Sequence, residues 1–328
     1  MIALVSSMVM RWSWMVARLF NEDFLKMTIP HPIPYQGSKR HLAKKIAPFI
    51  PANTHRLIEP FVGSGALSIY MAYHHIIHQF ILNDINAPLI HLWDSILSDP
   101  IRLIKTYTLL WHNQHGRERR YYDLIRTRFN QTHAPYYLLY LLARCVKASV
   151  RYNADGHFNQ SLDNRRKGKH PETMRREIMA LHQLLHNKTR LYSQDYVRVL
   201  QLATPDDVVY LDPPYVGLAQ KRTSRYLQTI DEARFLKQLE WLNDKHIPFI
   251  LSYDGRTGQN QFHHQLPETL NLTYVELEAG RSSQQTLLGR NEITYESLYL
   301  SPSLIKKLNN AIIPTQSPRQ LSLFEEIA

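Results

Sequence analysis

Apolar positions along this chain switch between two periods, and the switches lay out a fold. Apolar segments of strand length stand at Leu57-Ile58, Phe80 to Asn83, Arg190 to Ser193, Val208 to Leu211, Ile247 to Ser252, Tyr274 to Leu277 and Ile293 to Leu300. Short continuous runs of this kind, such as Val208-Val209-Tyr210-Leu211, fit strands covered on both faces. Between them the apolar residues return at helical spacing. Ala66 to Tyr73 and Ala87 to Leu97 read as helices, and Asp231 caps a third that buries Phe235, Leu239 and Leu242. A basic helix is expected from Arg40 to Phe49, and Pro171 opens another with Met174, Ile178, Leu181 and Leu185 on one face. Alternating strands and helices predict an α/β fold with a mostly parallel sheet. The last two strands alternate polar and apolar residues, as an antiparallel pair does.

Composition changes this picture in one place. Residues 113–190 hold 16 Lys and Arg against 6 Asp and Glu, so they carry ten of the chain's net eleven positive charges. Tyrosines and histidines interleave with the arginines, and Asn153 to Lys169 is loop-like. Charge concentrated in this way is the footprint of a nucleic-acid face. The expected division is an extension over residues 1–27, a catalytic domain over 28–112 and 191–305 interrupted by an insert over 113–190, and a flexible tail over 306–328. The single cysteine, Cys145, excludes an intrachain disulfide and a multi-cysteine zinc site, and its place in an apolar helical run from Tyr137 to Val150 makes it a core thiol. His74-His75 and His263-His264 are adjacent pairs, poorly spaced for one chelate face, so no metal is expected. Residues 1–26 contain no apolar run approaching the roughly 20 residues of a membrane span. A cytoplasmic monomer working at the nucleoid, away from membranes, is the expectation.

Four strand ends carry candidate chemistry. Gly63 and Gly65 stand between the first strand and its helix, where backbone approaches a ligand closely and helix N–H groups are near. The position three beyond Gly65 is Ser68, so the dinucleotide fingerprint is incomplete and a dehydrogenase is disfavoured. Asp84 ends the next strand, placed to accept from both ribose hydroxyls of a nucleotide cofactor. Asp195-Tyr196 offers an acid and a ring for an adenine edge and face. Asp212-Pro213-Pro214-Tyr215 follows the most apolar strand. Two prolines lock that backbone and remove two donors, leaving acceptors and an aromatic ring suited to a planar amine.

In order and wording these motifs resemble the Dam-like (D12 class, amino-α group) N6-adenine DNA methyltransferases. The resemblance runs from Pro34 to about Pro302. Tyr35-Gln36-Gly37-Ser38-Lys39 is similar to that family's N-terminal cofactor motif, and Glu59-Pro60-Phe61-Val62-Gly63-Ser64-Gly65 to its S-adenosylmethionine loop. Asp212 to Tyr215 is similar to its catalytic motif. The family places target recognition between loop and catalytic motif, where the basic insert falls. Arg151-Tyr152-Asn153, Gly156 and Phe158-Asn159 resemble a DNA-contacting stretch there.

The resemblance implies a class I, Rossmann-like methyltransferase with an inserted, mainly helical DNA-recognition subdomain. S-adenosylmethionine is the implied cofactor and double-stranded DNA the implied partner. Asp212 and the Pro213 carbonyl would hold both hydrogens of an adenine N6, and Tyr215 would stack on the flipped base. Lys39 would meet the cofactor's carboxylate or lie near the base. Arg165, Arg166, Lys167 and Lys169 are expected on phosphates, with base-edge reading open among Arg117, Arg119, Arg120 and Asn153. Cytosine N4 or an RNA base is the alternative target, and a non-catalytic DNA-binding module the alternative class. Near the end, Gln320, Leu321, Leu323 and Phe324 resemble the peptide with which bacterial DNA-replication and repair proteins dock on the sliding clamp. A cognate restriction endonuclease is a further expected partner.

Overall fold

The computed structural model describes residues 28–214, 230–257, 260–261, 266–281 and 293–312. Residues 1–27, Tyr215 and the Gln320 to Phe324 peptide lie outside them. Eight strands form one sheet: β1 (Leu57–Glu59), β2 (Phe80–Asn83), β3 (Thr189–Tyr192), β4 (Val208–Leu211), β5 (Phe249–Thr257), β6 (Asn260–Gln261), β7 (Thr273–Arg281) and β8 (Ile293–Leu300). Their order is β3-β2-β1-β4-β5-β8-β7, with β6 paired only to β5. The first five are parallel and the rest antiparallel. This is the mixed, mostly parallel sheet expected. From β1 the chain builds outward to β2 and β3, then returns to place β4 on the other side of β1. That reversal is the switch point above which α/β sheets bind ligands.

Successive residues of the central strands feed two cores. Leu57, Phe80, Leu82, Val208 and Tyr210 join one cluster, while Ile58, Ile81, Val209 and Leu211 join the other. With both faces covered, β1, β2 and β4 are buried throughout, which is why they read as unbroken apolar runs.

Helix α1 (Ala43–Ile46) precedes β1, and α2 (Ala66–Tyr73) follows it. Between β2 and β3 run α3 (Ala87–Ser98), α4 (Pro100–Asn113), α5 (Glu118–Thr132), α6 (Pro135–Arg144) and α7 (Pro171–Leu185). Helices α8 (Tyr196–Leu200), α9 (Glu232–Asp244) and α10 (Pro302–Ile312) follow among the described residues. Asp231 caps α9 as expected, accepting from the Arg234 N–H at 2.9 Å. The helical insert has no core of its own. Tyr122, Phe129, Leu138, Phe158 and Met174 belong to the same cluster as Phe80 and Leu82 of β2 and Trp93 of α3.

Two expectations are corrected. The tail is helical to Ile312 rather than flexible from Lys306: Pro302 starts α10, Leu304 is buried, and Ile305 and Leu308 pack on the core. The helix expected to carry Cys145 stops at Arg144, where the backbone turns extended. Burial pushes the Cys145 thiol up to about 12, so it is an inert core residue.

Candidate functional site

The chain leaving β1 must turn sharply to enter α2, and two glycines in left-handed conformation make the turn. A Cβ on Gly65 (φ +60°) would lie 2.7–2.8 Å from the Trp93 ring. One on Gly63 (φ +48°) would lie 3.1 Å from the Tyr35 ring. Trp93 Nε1 also donates to the Gly63 carbonyl at 3.0 Å, so the indole props the loop from beneath. Glu59 accepts from Ser68 N at 2.9 Å and Ser68 Oγ at 2.5 Å, pinning the first turn of α2 to β1. Burial raises its carboxyl to about 7 against those hydrogen bonds. Asp84 receives the N–H groups of Gly63 (3.1 Å) and Asn86 (2.9 Å), and burial raises its carboxyl to about 6.

Above this loop lies a cavity of about 250 Å³. Tyr35, Gly37, Lys39, Glu59, Phe61 and Gly63 line it, and so do Asp84, Asp195, Tyr196, Asp212, Pro213 and Pro214. Gly65 shapes the turn without reaching the wall. Asp195 is not at a strand end: β3 stops at Tyr192, and Asp195 caps α8 by accepting from Val197 N at 3.0 Å. Its two oxygens also take a bidentate ion pair from Arg234, at 2.8 and 2.9 Å. The Arg234 guanidinium lies 5.5 Å from the Tyr196 ring centre, and Tyr196 packs at 5.3 Å on Phe61.

Asp212 leaves β4 at the opposite side of β1 from Asp84. Lys39 Nζ is 3.4 Å from its Oδ1 and donates to Glu296 Oε1 at 2.5 Å. Burial pushes the Asp212 carboxyl up to about 6; Lys39 pulls it down and Glu296 pushes it up. Lys39 thus stands beside the Asp212 carboxylate.

The insert's candidates are divided. Tyr152 and Phe158 pair across a tight turn, and Asn153 Oδ1 closes it by accepting from the Asp155 and His157 N–H groups at 3.1 and 2.8 Å. Asn159 and Asn153 are exposed, Arg151 half-buried. Arg165 and Lys167 are exposed, whereas Arg166 is half-buried and donates to the Cys145 carbonyl at 3.1 Å. Lys169 pairs with Glu177 and donates to the His31 carbonyl, so its charge is used inside the protein. Arg119 pairs with Asp123 at 3.5 Å, Arg117 lies over the Tyr121 ring at 5.2 Å, and Arg120 is exposed. Glu296, Trp93 and Arg234 were not anticipated. They meet the site only through long-range folding.

Residues 35–280 match the model of the D12 class N6 adenine-specific DNA methyltransferases. The chain belongs to that family. A DNA adenine methylase of Serratia marcescens is 27% identical over 284 residues, covering 83% of this chain and 96% of that protein. A retron DNA adenine methylase of Escherichia coli is 28% identical over 226 residues, covering 67% and 75%. A type II methyltransferase of Lactococcus lactis subsp. cremoris is 26% identical over 196 residues, covering 57% and 66%. This D12 methyltransferase is therefore an adenine-specific DNA-modifying enzyme, and the cavity above β1 and β4 is its candidate active site. No helix among the described residues is long and apolar enough to cross a membrane.

Proposed function

We propose that the enzyme takes a methyl group from S-adenosylmethionine and places it on N6 of an adenine flipped out of duplex DNA. One observation carries this reading: a left-handed glycine turn, Asp84 and Asp212-Pro213-Pro214 meet in a single cavity. Asp84 follows β2 and Asp212 follows β4, with β1 between, so the two carboxylates stand on strands about 10 Å apart. That span suits a nucleoside at one side and a reacting amine at the other. The fit is supported by three buried polar atoms that have no hydrogen-bond partner among the described residues. Asn86 Nδ2, Tyr196 Oη and Tyr210 Oη all belong to residues lining the cavity.

S-adenosylmethionine supplies a methyl group on a positively charged sulfur. Asp84 would accept from the ribose, the touching Phe61 and Tyr196 rings would form one aromatic wall for the adenine, and the loop around Gly63 would let the backbone come close. An adenine N6 lone pair is delocalised into its ring and attacks poorly. Asp212 and the Pro213 carbonyl accept its two hydrogens and draw the nitrogen toward tetrahedral geometry, freeing the pair. The proton that N6 gives up on methylation would pass to Asp212. Flipping the base costs a few kcal/mol, and stacking on an aromatic such as Tyr215 returns about 1–3 kcal/mol.

The carboxylate must be ionised to accept, so turnover should fall as pH drops through about 6. A pH–rate profile flat from neutral to acid would contradict that role for Asp212.

Expression in a methylation-free host followed by methylation-sensitive sequencing tests the whole proposal. N6-methyladenine at one short sequence is expected, and its absence from a host making folded, cofactor-binding protein would refute it. Duplex DNA meets the exposed charges of the insert. Replacing Arg165 and Lys167 together with alanine should weaken binding to all sequences alike and reduce the salt slope by about 1–2. An unchanged slope would remove these residues from the DNA face. The sliding clamp and a paired endonuclease are further proposed partners. The Gln320 to Phe324 peptide supports the first, and the relative named as a type II methyltransferase supports the second. Deleting Arg319 to Ala328 should abolish clamp binding; undiminished binding would refute that docking.

A further inference from the structure

Strand β8 brings another carboxylate to the rim where the parallel strands end. It pairs antiparallel with β5, so its early residues stand beside the carboxyl end of that strand. Leu211 pairs with Leu251 in β5, and Ser252 pairs with Leu298 in β8. The register then shifts between Ser252 and Gly255, opposite Glu296. Glu296 is 7% exposed, and its Oε1 accepts from both Ser252 Oγ and Lys39 Nζ at 2.5 Å. The same ammonium is 3.4 Å from Asp212 Oδ1. A buried carboxylate without such partners would be strongly destabilising. Here it shares one ammonium with the Asp212 carboxylate.

We propose that Glu296 is a positioning residue for methyl transfer: anchored by Ser252, it holds the Lys39 ammonium against Asp212 and balances the charge of that pair. The proposal rests on the reading that Asp212 receives the N6 proton. Among the described residues, four groups face Asp212: Lys39 from the N-terminal motif, Glu296 from β8, the Tyr210 hydroxyl from β4 and Glu59 from β1. Lys39 favours the ionised form of Asp212 and Glu296 disfavours it. Neutralising one or the other therefore has opposite consequences. Glu296→Gln should move the acid limb of activity to lower pH. Lys39→Met leaves two carboxylates facing each other and should move it to higher pH.

The experiment is single-turnover methylation of duplex DNA by the full chain and both variants, from about pH 5 to about pH 9. Aspartate carboxyl carbons are followed by NMR in the cofactor-free protein over the same range. Glu296→Gln should lower the rate at alkaline pH about tenfold, with cofactor affinity and KM for DNA held within about twofold. Opposite displacement of the limb in the two variants, matched by the NMR titration of Asp212, supports the proposal. A wild-type limb in Glu296→Gln, or displacement of both variants in one direction, overturns it. Should Glu296→Gln not fold, Glu296→Asp keeps the charge at shorter reach; a reduced rate with an unmoved limb is expected, and a wild-type rate overturns the idea. If instead the unaltered enzyme binds cofactor and leaves DNA unmethylated, the underlying reading of Asp212 fails, an outcome distinct from these.

Discussion

Replacing Asp212 with alanine should lower methyl transfer by about 10³-fold or more, because it removes both an acceptor for N6 and the destination of its proton. Cofactor affinity should survive, since Asp84 and the glycine turn are untouched. Asp212→Asn is expected to be nearly as inactive. It keeps the shape and one acceptor but cannot take the proton. Stability should move the other way. The folded-state pKa of about 6 lies above the ordinary value of 3.8, so folding favours the protonated form between those values. Above about 6 the ionised carboxylate opposes folding, and removing it at neutral pH should leave Tm unchanged or higher. Single-turnover kinetics, calorimetric cofactor binding and thermal melts check these three statements. Loss of activity together with cofactor binding and a lower Tm would point to misfolding, and would leave Asp212 without its chemical role.

The second large effect is expected from Gly65→Ala. The new methyl would stand 2.7–2.8 Å from the Trp93 ring on a left-handed backbone, and the two penalties together cost about 2–4 kcal/mol. Relief requires the indole to move, which breaks its hydrogen bond to the Gly63 carbonyl and lets the loop sag. Cofactor binding should fall with stability. Gly63→Ala meets only the edge of the Tyr35 ring, at 3.1 Å, and should be milder. Thermal melts and cofactor calorimetry on both variants test the ranking. Equal effects would show that Trp93 does not support the turn.

What the sequence revealed was local. The strand before Asp212, the glycine turn after β1 and the Asp231 cap each depend on residues a few positions apart, and each formed as expected. Glu296 reaches Lys39 across 257 residues of chain, and nothing near it distinguishes it from an ordinary alternating strand. Trp93 looked like one more apolar position on α3. Asp195 was legible as an acid near a strand end, but its capping role and its Arg234 partner depend on where β3 stops. The tail helix carried readable signals, a proline at its first position and Leu304, Ile305 and Leu308 on one face. Lys306, Lys307, Asn309 and Asn310 outweighed them. In the insert, charge density alone did not tell which cations fold inward, as Lys169 and Arg166 do.

The insert is sewn to the cofactor half at defined points. Tyr152 Oη donates to Asn86 Oδ1 at 3.1 Å, two residues beyond Asp84, and Gln36 N donates to the Ala148 carbonyl at 3.0 Å. With a shared core beneath those stitches, a foreign insert would arrive without its seams. Chimeras that swap residues 113–190 between relatives should therefore lose cofactor affinity along with their own specificity. On the proposed reading of the insert as the DNA face, single changes at the exposed Ala154 and His157 leave both the seams and the Asn153 hydrogen bonds of that turn in place.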